Sequence, residues 1–277
     1  MQYRQTPNKS GPVDNFVTDD EAPTGPVLLV EPQHEPFYTD HSQSLTVTLR
    51  INHVRTLVNR GETAEAHFGD NTTVITTTTV NDRRLARLDW GTERDLVRRF
   101  NPDYHVPCDY PVYKEDDPAE RRNHIRKCLK GTIWMATQLH GVKTRVIPLL
   151  KGETSGERGL CHRVFAHLGV DYCVFYGTQY FTASIGFYKL LEDLRQAVSE
   201  APRLKIMLIG LQAAHRLEQL PPQVVAAAGQ RWIDEVQFRK RSCNEAQQQY
   251  TVMDQNITAA LGHGQMPIGA WTHEVST

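Results

Sequence analysis

The sequence lacks any apolar run near the ~20 residues that a helix needs to cross a bilayer. Its first 25 residues are polar and contain no apolar core of a secretory signal. These two absences argue against a membrane-spanning or a secreted protein. We therefore expect a cytoplasmic protein with no membrane partner.

Cys-x-x-Cys pairs are also absent. The five cysteines are dispersed along the chain, at Cys108, Cys128, Cys161, Cys173 and Cys243. An odd, dispersed set favours reduced thiols, most of them buried as small apolar side chains. Cys161-His162 with Cys173 could contribute to a zinc site, but this spacing matches no standard zinc motif. No feature of the sequence requires a metal, and zinc stays an open alternative.

An excess of charge of one sign is missing as well. The 31 Lys and Arg residues nearly balance the 32 Asp and Glu residues, for a formal net charge of −1. Composition therefore predicts neither affinity for polyanions nor attraction to membranes, although a local basic patch remains compatible with it.

Residues 1–25 are rich in Pro, Gly, Asn, Ser and Asp and cannot bury enough apolar surface to order themselves unaided. We expect a flexible N-terminal tail, either disordered or docked on the rest of the chain. The whole chain is 39% apolar, and the remaining segment 26–277 is long enough for a single domain with a full core.

Three short apolar runs, each ending in a glycine-bearing turn, are the clearest fold signal. They cover 145–152, 171–177 and 204–210, with amphipathic segments between them. Short apolar runs bounded by Gly and separated by helical patterns are typical of buried parallel strands. The sequence therefore predicts an α/β fold.

The rest of the chain extends this alternation. Further strands are predicted at 27–30, 45–51, 72–80, 104–108 and 231–236, and 84–89 is predicted as either a short strand or the lead-in to one. Helices are predicted at 53–60, 92–100, 117–140, 155–168, 184–200, 223–229 and 244–261. The strand at 45–51 alternates with period two and is expected to be half exposed, outside the main sheet. Seven or eight strands with intervening helices predict a compact or incomplete (β/α)8 TIM-type barrel.

Three aspartates fall at predicted strand tips: Asp89, Asp109 and Asp234. In a barrel all three would face one mouth, where carboxylates can share the work of glycosidic chemistry. A carboxylate also suits a guanine edge, because its oxygens accept from N1–H and the exocyclic amine together. The alternative for each is a turn former or helix cap.

Other residues at the predicted tips fit a nucleobase pocket. Glycines at 152, 177 and 210 would let a flat ring approach the backbone, and Tyr180 and Phe181 could stack on it or belong to the core. The basic run Arg239, Lys240 and Arg241 could hold nucleic-acid phosphates or form a solvated face.

Several segments together resemble the tRNA-guanine transglycosylase superfamily, whose members exchange guanine for a 7-deazaguanine in nucleic acid. The resemblance covers about 88–243. It rests on Tyr-His-Val-Pro-Cys-Asp-Tyr-Pro-Val-Tyr at 104–113, Thr-Ile-Trp-Met at 132–135, Ile-Pro-Leu-Leu-Lys-Gly at 147–152, Lys-Ile-Met-Leu-Ile-Gly at 205–210 and Trp-Ile-Asp-Glu-Val-Gln-Phe-Arg at 232–239.

The resemblance implies roles for individual residues. Asp234 would be the nucleophile and Asp109 the base-recognising carboxylate, while Asp89, or its rival Asp70, would be the second catalytic aspartate. Base contacts would come from Lys151, Gly152, Gly177, Thr178 and Gly210. Lys151 stands where the family usually has Gln.

The family's Cys-x-Cys-x-x-Cys…His zinc motif is absent, which makes the chain most similar to the shortened, DNA-modifying DpdA-type members of phages, archaeal viruses and their hosts. The resemblance then implies exchange of guanine for a base such as 7-cyano-7-deazaguanine in DNA, with no required cofactor, in the host cytoplasm if the protein is viral. Exchange on tRNA, an inactive nucleic-acid-binding or viral structural role, and a generic hydrolase stay open, as does a homodimer or partner subunit.

Overall fold

A computed structural model describes residues 15–39, 43–182 and 186–262. Its described residues contain nine strands in one sheet, and every strand pair is parallel. The strands are β1 (Gly25–Leu29), β2 (Leu45–Arg50), β3 (Thr72–Thr77), β4 (Tyr104–Val106), β5 (Arg145–Val146), β6 (Leu149–Leu150), β7 (Tyr172–Tyr176), β8 (Lys205–Ile209) and β9 (Val224–Gly229).

Helices connect successive strands except β5 and β6. In the same residues they are α1 (Glu35–Thr39), α2 (Ile51–Asn59), α3 (Ala64–Phe68), α4 (Asp82–Leu85), α5 (Trp90–Phe100), α6 (Pro118–Gln138), α7 (Ser155–Leu168), α8 (Thr178–Thr182), α9 (Phe187–Glu200), α10 (Ala214–Leu217), α11 (Arg231–Val236) and α12 (Cys243–Gly262). A 3-10 helix, Pro32–His34, precedes α1.

The sheet order is β5-β4-β3-β2-β1-β9-β8-β7-β6, so the two outer strands are consecutive in the chain. Only Ile147 and Pro148 separate them. The Ile147 N–H donates to His105 O on one side, and Pro148 O accepts from Val174 N–H on the other. The sheet must therefore curl until its two ends approach. The α/β class is confirmed, and the curled sheet is compatible with an incomplete TIM-like barrel.

Alternate strand residues divide the core into two clusters. One contains Val27, Ile75, Val174 and Met207 on one face of the sheet. The other contains Leu28, Val74 and Phe175, their neighbours in sequence, together with the buried faces of the helices. Both faces of the sheet are thus buried, as a parallel sheet requires.

Four predicted elements are corrected. Segment 45–51 forms β2 within the main sheet, and 84–89 is a short helix and turn rather than a strand. The predicted helix 223–229 is β9, because its small apolar side chains fit the fully buried sheet between β1 and β8. The predicted strand 231–236 is α11: Trp232 and Val236, four residues apart, form the buried face of a helix.

The described part of the predicted tail packs against the domain. Val17 N–H donates to Val146 O at 3.1 Å, and Asn15 Nδ2 donates to Thr144 O at 3.0 Å. The hydroxyl of Tyr172 donates to Pro23 O at 2.5 Å. Residues 15–25 therefore have defined partners, while the first 14 residues lie outside the described residues.

Candidate functional site

A polar cavity of about 470 Å³ opens at the carboxyl ends of the strands. Five strands supply residues to it, each at or just after the last residue of the strand. Arg50 and Tyr176 end β2 and β7, and Thr79, Asp109 and Lys151 come after β3, β4 and β6. Ligand sites of parallel α/β sheets lie at this edge, because the connecting loops there converge. The cavity is therefore the first candidate for a functional site.

Asp109 and Lys151 form a buried ion pair at this cavity. Lys151 Nζ lies 2.5 Å from Asp109 Oδ1, and the two side chains are only 12% and 9% exposed. Burial disfavours the charged form of Lys151, but the Asp109 carboxylate outweighs it, and the pKa of Lys151 is raised above its ordinary value. The site thus presents a carboxylate and an ammonium side by side.

The turn before Asp109 is held in an unusual conformation. Cys108 has a φ of 55°, in the left-handed region that side chains other than glycine rarely adopt. Its N–H donates to Glu93 Oε1 at 2.9 Å, and the next N–H, of Asp109, donates to Thr78 Oγ1 at 3.1 Å. Gly131 on α6 lies against this turn, since a Cβ there would come within 2.7 Å of Cys108 Cβ. These contacts fix where the Asp109 side chain begins.

Glu93 belongs to a buried polar chain beneath the turn. Its Oε1 lies 2.9 Å from His105 Nε2, and His105 Nδ1 lies 2.8 Å from Thr76 Oγ1. Burial raises the pKa of the Cys108 thiol well above its ordinary range, and the adjacent Glu93 carboxylate adds to this. Cys108 is therefore a neutral structural residue rather than a nucleophile.

Asp82 is a second carboxylate lining the same cavity, and sequence reasoning missed it. It is exposed at the start of α4, and the Tyr113 hydroxyl donates to it, 3.1 Å from each carboxylate oxygen. Burial and this hydrogen bond raise the pKa of Tyr113 to about 12. The available signal was the Asn81-Asp82 pair, which directly follows the β-branched run that forms β3.

A second, more apolar cavity of about 270 Å³ adjoins the first. It is lined by Leu85, Trp90 and Tyr110 and shares both Asp82 and Asp109 with the polar cavity. Trp90 Nε1 donates to the Tyr110 hydroxyl at 3.2 Å, which fixes the two rings relative to each other. Asp82 and Asp109 therefore face a polar compartment and an apolar one.

The predicted catalytic aspartates lie elsewhere. Asp234 is exposed on α11 and lines a separate cavity of about 310 Å³ with His34 and Phe238. Asp89 is the exposed N-cap of α5, accepting from the Thr92 N–H at 2.9 Å; hydrogen bonds from Thr92 lower the pKa of Asp89. Asp70 precedes β3, at the amino end of that strand. None of the three lines the Asp109 cavity.

The predicted base-contacting glycines have protein atoms beside them rather than open space. A Cβ at Gly152 would lie 2.6 Å from Arg158 N, and one at Gly210 would lie 2.7 Å from Thr178 N. A Cβ at Gly177 would lie 2.9 Å from Leu208 Cδ1. These glycines, and Thr178 with them, allow close packing of neighbouring loops and do not form the cavity wall.

The predicted stacking residues do not line the Asp109 cavity. Tyr180 is buried and its hydroxyl donates to Asp193 at 2.7 Å, so its ring belongs to the core. Phe181 is half-buried against the same core, with the Arg216 guanidinium 5.9 Å from its ring centre. Neither residue lines the Asp109 cavity, where Tyr113 and Tyr176 are the aromatic residues present.

The basic run 239–241 lies beside Asp234. Arg239 and Lys240 are exposed and line the cavity that contains Asp234, and Arg241 is half-buried. The Arg239 guanidinium donates to Gln33 O at 2.9 Å. The run is therefore grouped with Asp234, as predicted, but away from Asp109.

Residues 15–39, 43–182 and 186–262 contain neither a metal-binding cluster nor a membrane-spanning helix. No group of three or more His, Cys, Asp or Glu side chains is arranged to hold a metal ion. No helix in these ranges is long and apolar enough to cross a membrane.

No protein-family model matches the chain, and no curated protein matches it.

Proposed function

We propose that the protein is a base-exchange glycosyltransferase that replaces guanine with a 7-deazaguanine, such as 7-cyano-7-deazaguanine, in DNA. We infer a TIM-type barrel of eight strands for it, with β5 and β6 as two halves of one strand. The observation that carries the proposal is the Asp109–Lys151 pair in the cavity at the carboxyl ends of the strands.

This pair is complementary to the edge of a guanine. The Asp109 carboxylate accepts from N1–H and the exocyclic amine, and the Lys151 ammonium donates to O6. Asp109 Oδ1 is buried against Lys151 and accepts no well-aligned hydrogen bond from the described residues, while the Asp109 side chain lines the cavity in which the base would bind. A 7-deazaguanine presents the same edge, so one site serves the outgoing and incoming bases.

Asp82 takes the nucleophilic role that the resemblance implies for Asp234, because Asp82 lines both cavities that Asp109 lines. Its carboxylate oxygen bonds to C1′ while the C1′–N9 bond breaks, and guanine departs as an anion whose charge Lys151 stabilises at O6. The departed guanine anion takes up a proton from solvent, and the incoming base gives its N9 proton to solvent. The N9 of the incoming base then attacks C1′ and breaks the bond between C1′ and the carboxylate. Two displacements give net retention at C1′.

The proposal is tested by incubating the protein with labelled 7-cyano-7-deazaguanine and either guanine-containing DNA or tRNA. Label incorporated into DNA, with release of an equal amount of guanine, supports it. Label incorporated into tRNA alone would support base exchange but identify tRNA, rather than DNA, as the substrate. Release of free guanine without incorporation points to a hydrolase and contradicts base exchange.

A second candidate is an inactive nucleic-acid-binding protein. It is favoured by the exposed position of Asp234 outside the Asp109 cavity. It predicts that oligonucleotide affinity is unchanged in Asp82→Asn and Asp109→Asn variants and that no label is incorporated by the wild-type protein.

A further inference from the structure

A groove of about 290 Å³ lies beside the Asp109 cavity, and three arginines line it. They are Arg55, Arg84 and Arg87. Arg84 also lines the Asp109 cavity, as does Val80, so the groove and the cavity have a common wall. A ligand in the cavity would therefore be flanked by these arginines.

The fold explains why these arginines converge. β2 and β3 are neighbours in the sheet, and α2 and α4 follow them, so both helices begin at the same edge of the sheet. Arg55 lies on the second turn of α2, Arg84 lies within α4, and Arg87 lies two residues beyond its end. The α4 turn is fixed by Asn81, whose side chain accepts from the Arg84 N–H at 3.1 Å.

The groove carries positive charge that the described part of the chain does not neutralise. Arg55, Arg84 and Arg87 are exposed, and no ion pair joins any of them to a described carboxylate within 4.0 Å. The groove itself is lined by no acidic residue. Arg50, at the polar cavity, differs because it pairs with Glu31 at 2.8 Å.

Three guanidinium groups on one concave surface repel one another, and an anion bound among them removes that cost. The planar fork of arginine matches two oxygens of a phosphate, as in nucleic-acid backbone recognition. Since each phosphodiester carries one negative charge, a backbone crossing the groove supplies the charge that the arginines lack.

We propose that the Arg55–Arg84–Arg87 groove binds consecutive phosphates of the DNA strand whose target base occupies the Asp109 cavity. This inference rests on the proposed function for the identity of the strand. It puts the phosphate contacts on the side of the sheet mouth that holds Asp109 and leaves 239–241 as a solvated face, the alternative interpretation of that basic run.

The test is the salt dependence of binding to a fluorescent, guanine-containing single-stranded DNA, with no 7-deazaguanine present. A variant with Arg55→Gln, Arg84→Gln and Arg87→Gln is compared with a matched control carrying Arg239→Gln, Lys240→Gln and Arg241→Gln, because each loses three positive charges. The slope of log K against log salt is negative, and each lost phosphate contact decreases its magnitude by about 0.7 for single strands. We expect the groove variant to lose about 2 from the slope and the control to keep the wild-type slope.

A wild-type slope in the groove variant, or an equal loss in both triple variants, would overturn the proposal. A third variant with Lys at the three groove positions retains the charges and should retain the slope, which separates charge loss from misfolding. The binding assay does not depend on base exchange, so the two proposals can fail separately. If the slopes are as expected but no labelled base is incorporated, the proposed chemistry is rejected and the phosphate-binding groove is supported. Base exchange by the wild-type protein together with an unchanged slope in the groove variant supports the proposed chemistry and rejects the phosphate-binding groove.

Discussion

Lys151 Nζ lies 2.5 Å from Asp109 Oδ1, which joins the carboxyl ends of β4 and β6 by a buried ion pair. The structure gives the lysine a partner, and with it a physical reason to be there: the cation balances a carboxylate that is nearly withdrawn from solvent.

Substitutions of Asp109 and Lys151 should have strongly non-additive effects on the free energy of unfolding. Asp109→Asn or Lys151→Gln alone leaves one buried charge without its partner, which costs about 3–5 kcal/mol for a fully buried pair. The double variant removes both charges and should be destabilised by clearly less than the sum of the two. Urea unfolding of the four proteins measures this coupling, and additive effects would show that the two side chains do not interact.

The same pair predicts the pH dependence of stability. Because the folded-state pKa of Lys151 is raised, its contribution is fully present below the unfolded pKa of about 10.4 and is lost as pH rises through the folded value. The stability difference between wild type and Lys151→Gln should therefore be constant from neutral pH to about pH 10 and decrease above it. A difference that already falls between pH 7 and 9 would contradict a raised pKa.

The turn that presents Asp109 should not tolerate a methyl group at Gly131. An alanine Cβ there would lie 2.8 Å from Cys108 Sγ and 2.9 Å from Trp90 Cε2, so Gly131→Ala should destabilise by about 1–3 kcal/mol despite the better helix propensity of Ala. Gly156→Ala on α7 is the matched control, because no atom outside its local backbone lies within 4 Å of the added Cβ. Thermal unfolding should separate them, and equal effects would refute the packing argument.

Substitution of Asp82 should lower the rate of base exchange far more than substitution of Asp234. Asp82→Asn removes the proposed nucleophile and should lower kcat/KM by at least roughly 10³-fold. Asp234→Asn changes an exposed residue beside a different cavity and should leave the rate near that of the wild type. Incorporation of labelled base into DNA measures both rates, and the reverse order of effects would identify Asp234, rather than Asp82, as the nucleophile.

Elements with clear local boundaries could be predicted from the sequence. The predicted helix at 117–140 is α6, because Asp117 caps it and Pro118 fits its first turn. The strands β7 and β8 were found because Gly177 and Gly210 end their apolar runs.

Elements decided by tertiary packing could not be found in the same way. Three successive alanines favour a helix locally, but in β9 they are buried between two neighbouring strands. Asp109 was found because it follows an apolar strand, whereas the role of Glu93 depends on a long-range contact with Cys108 that no local pattern encodes.

The central claim is that Asp109 and Lys151 together recognise the edge of guanine. Competition of guanine, hypoxanthine and adenine against labelled guanine, with the wild-type protein, tests it most directly. Hypoxanthine lacks the exocyclic amine, so losing one hydrogen bond to a charged group should weaken it by about 1.5–3 kcal/mol, or roughly 10- to 150-fold, and adenine should not compete measurably. Equal competition by all three bases would contradict the claim.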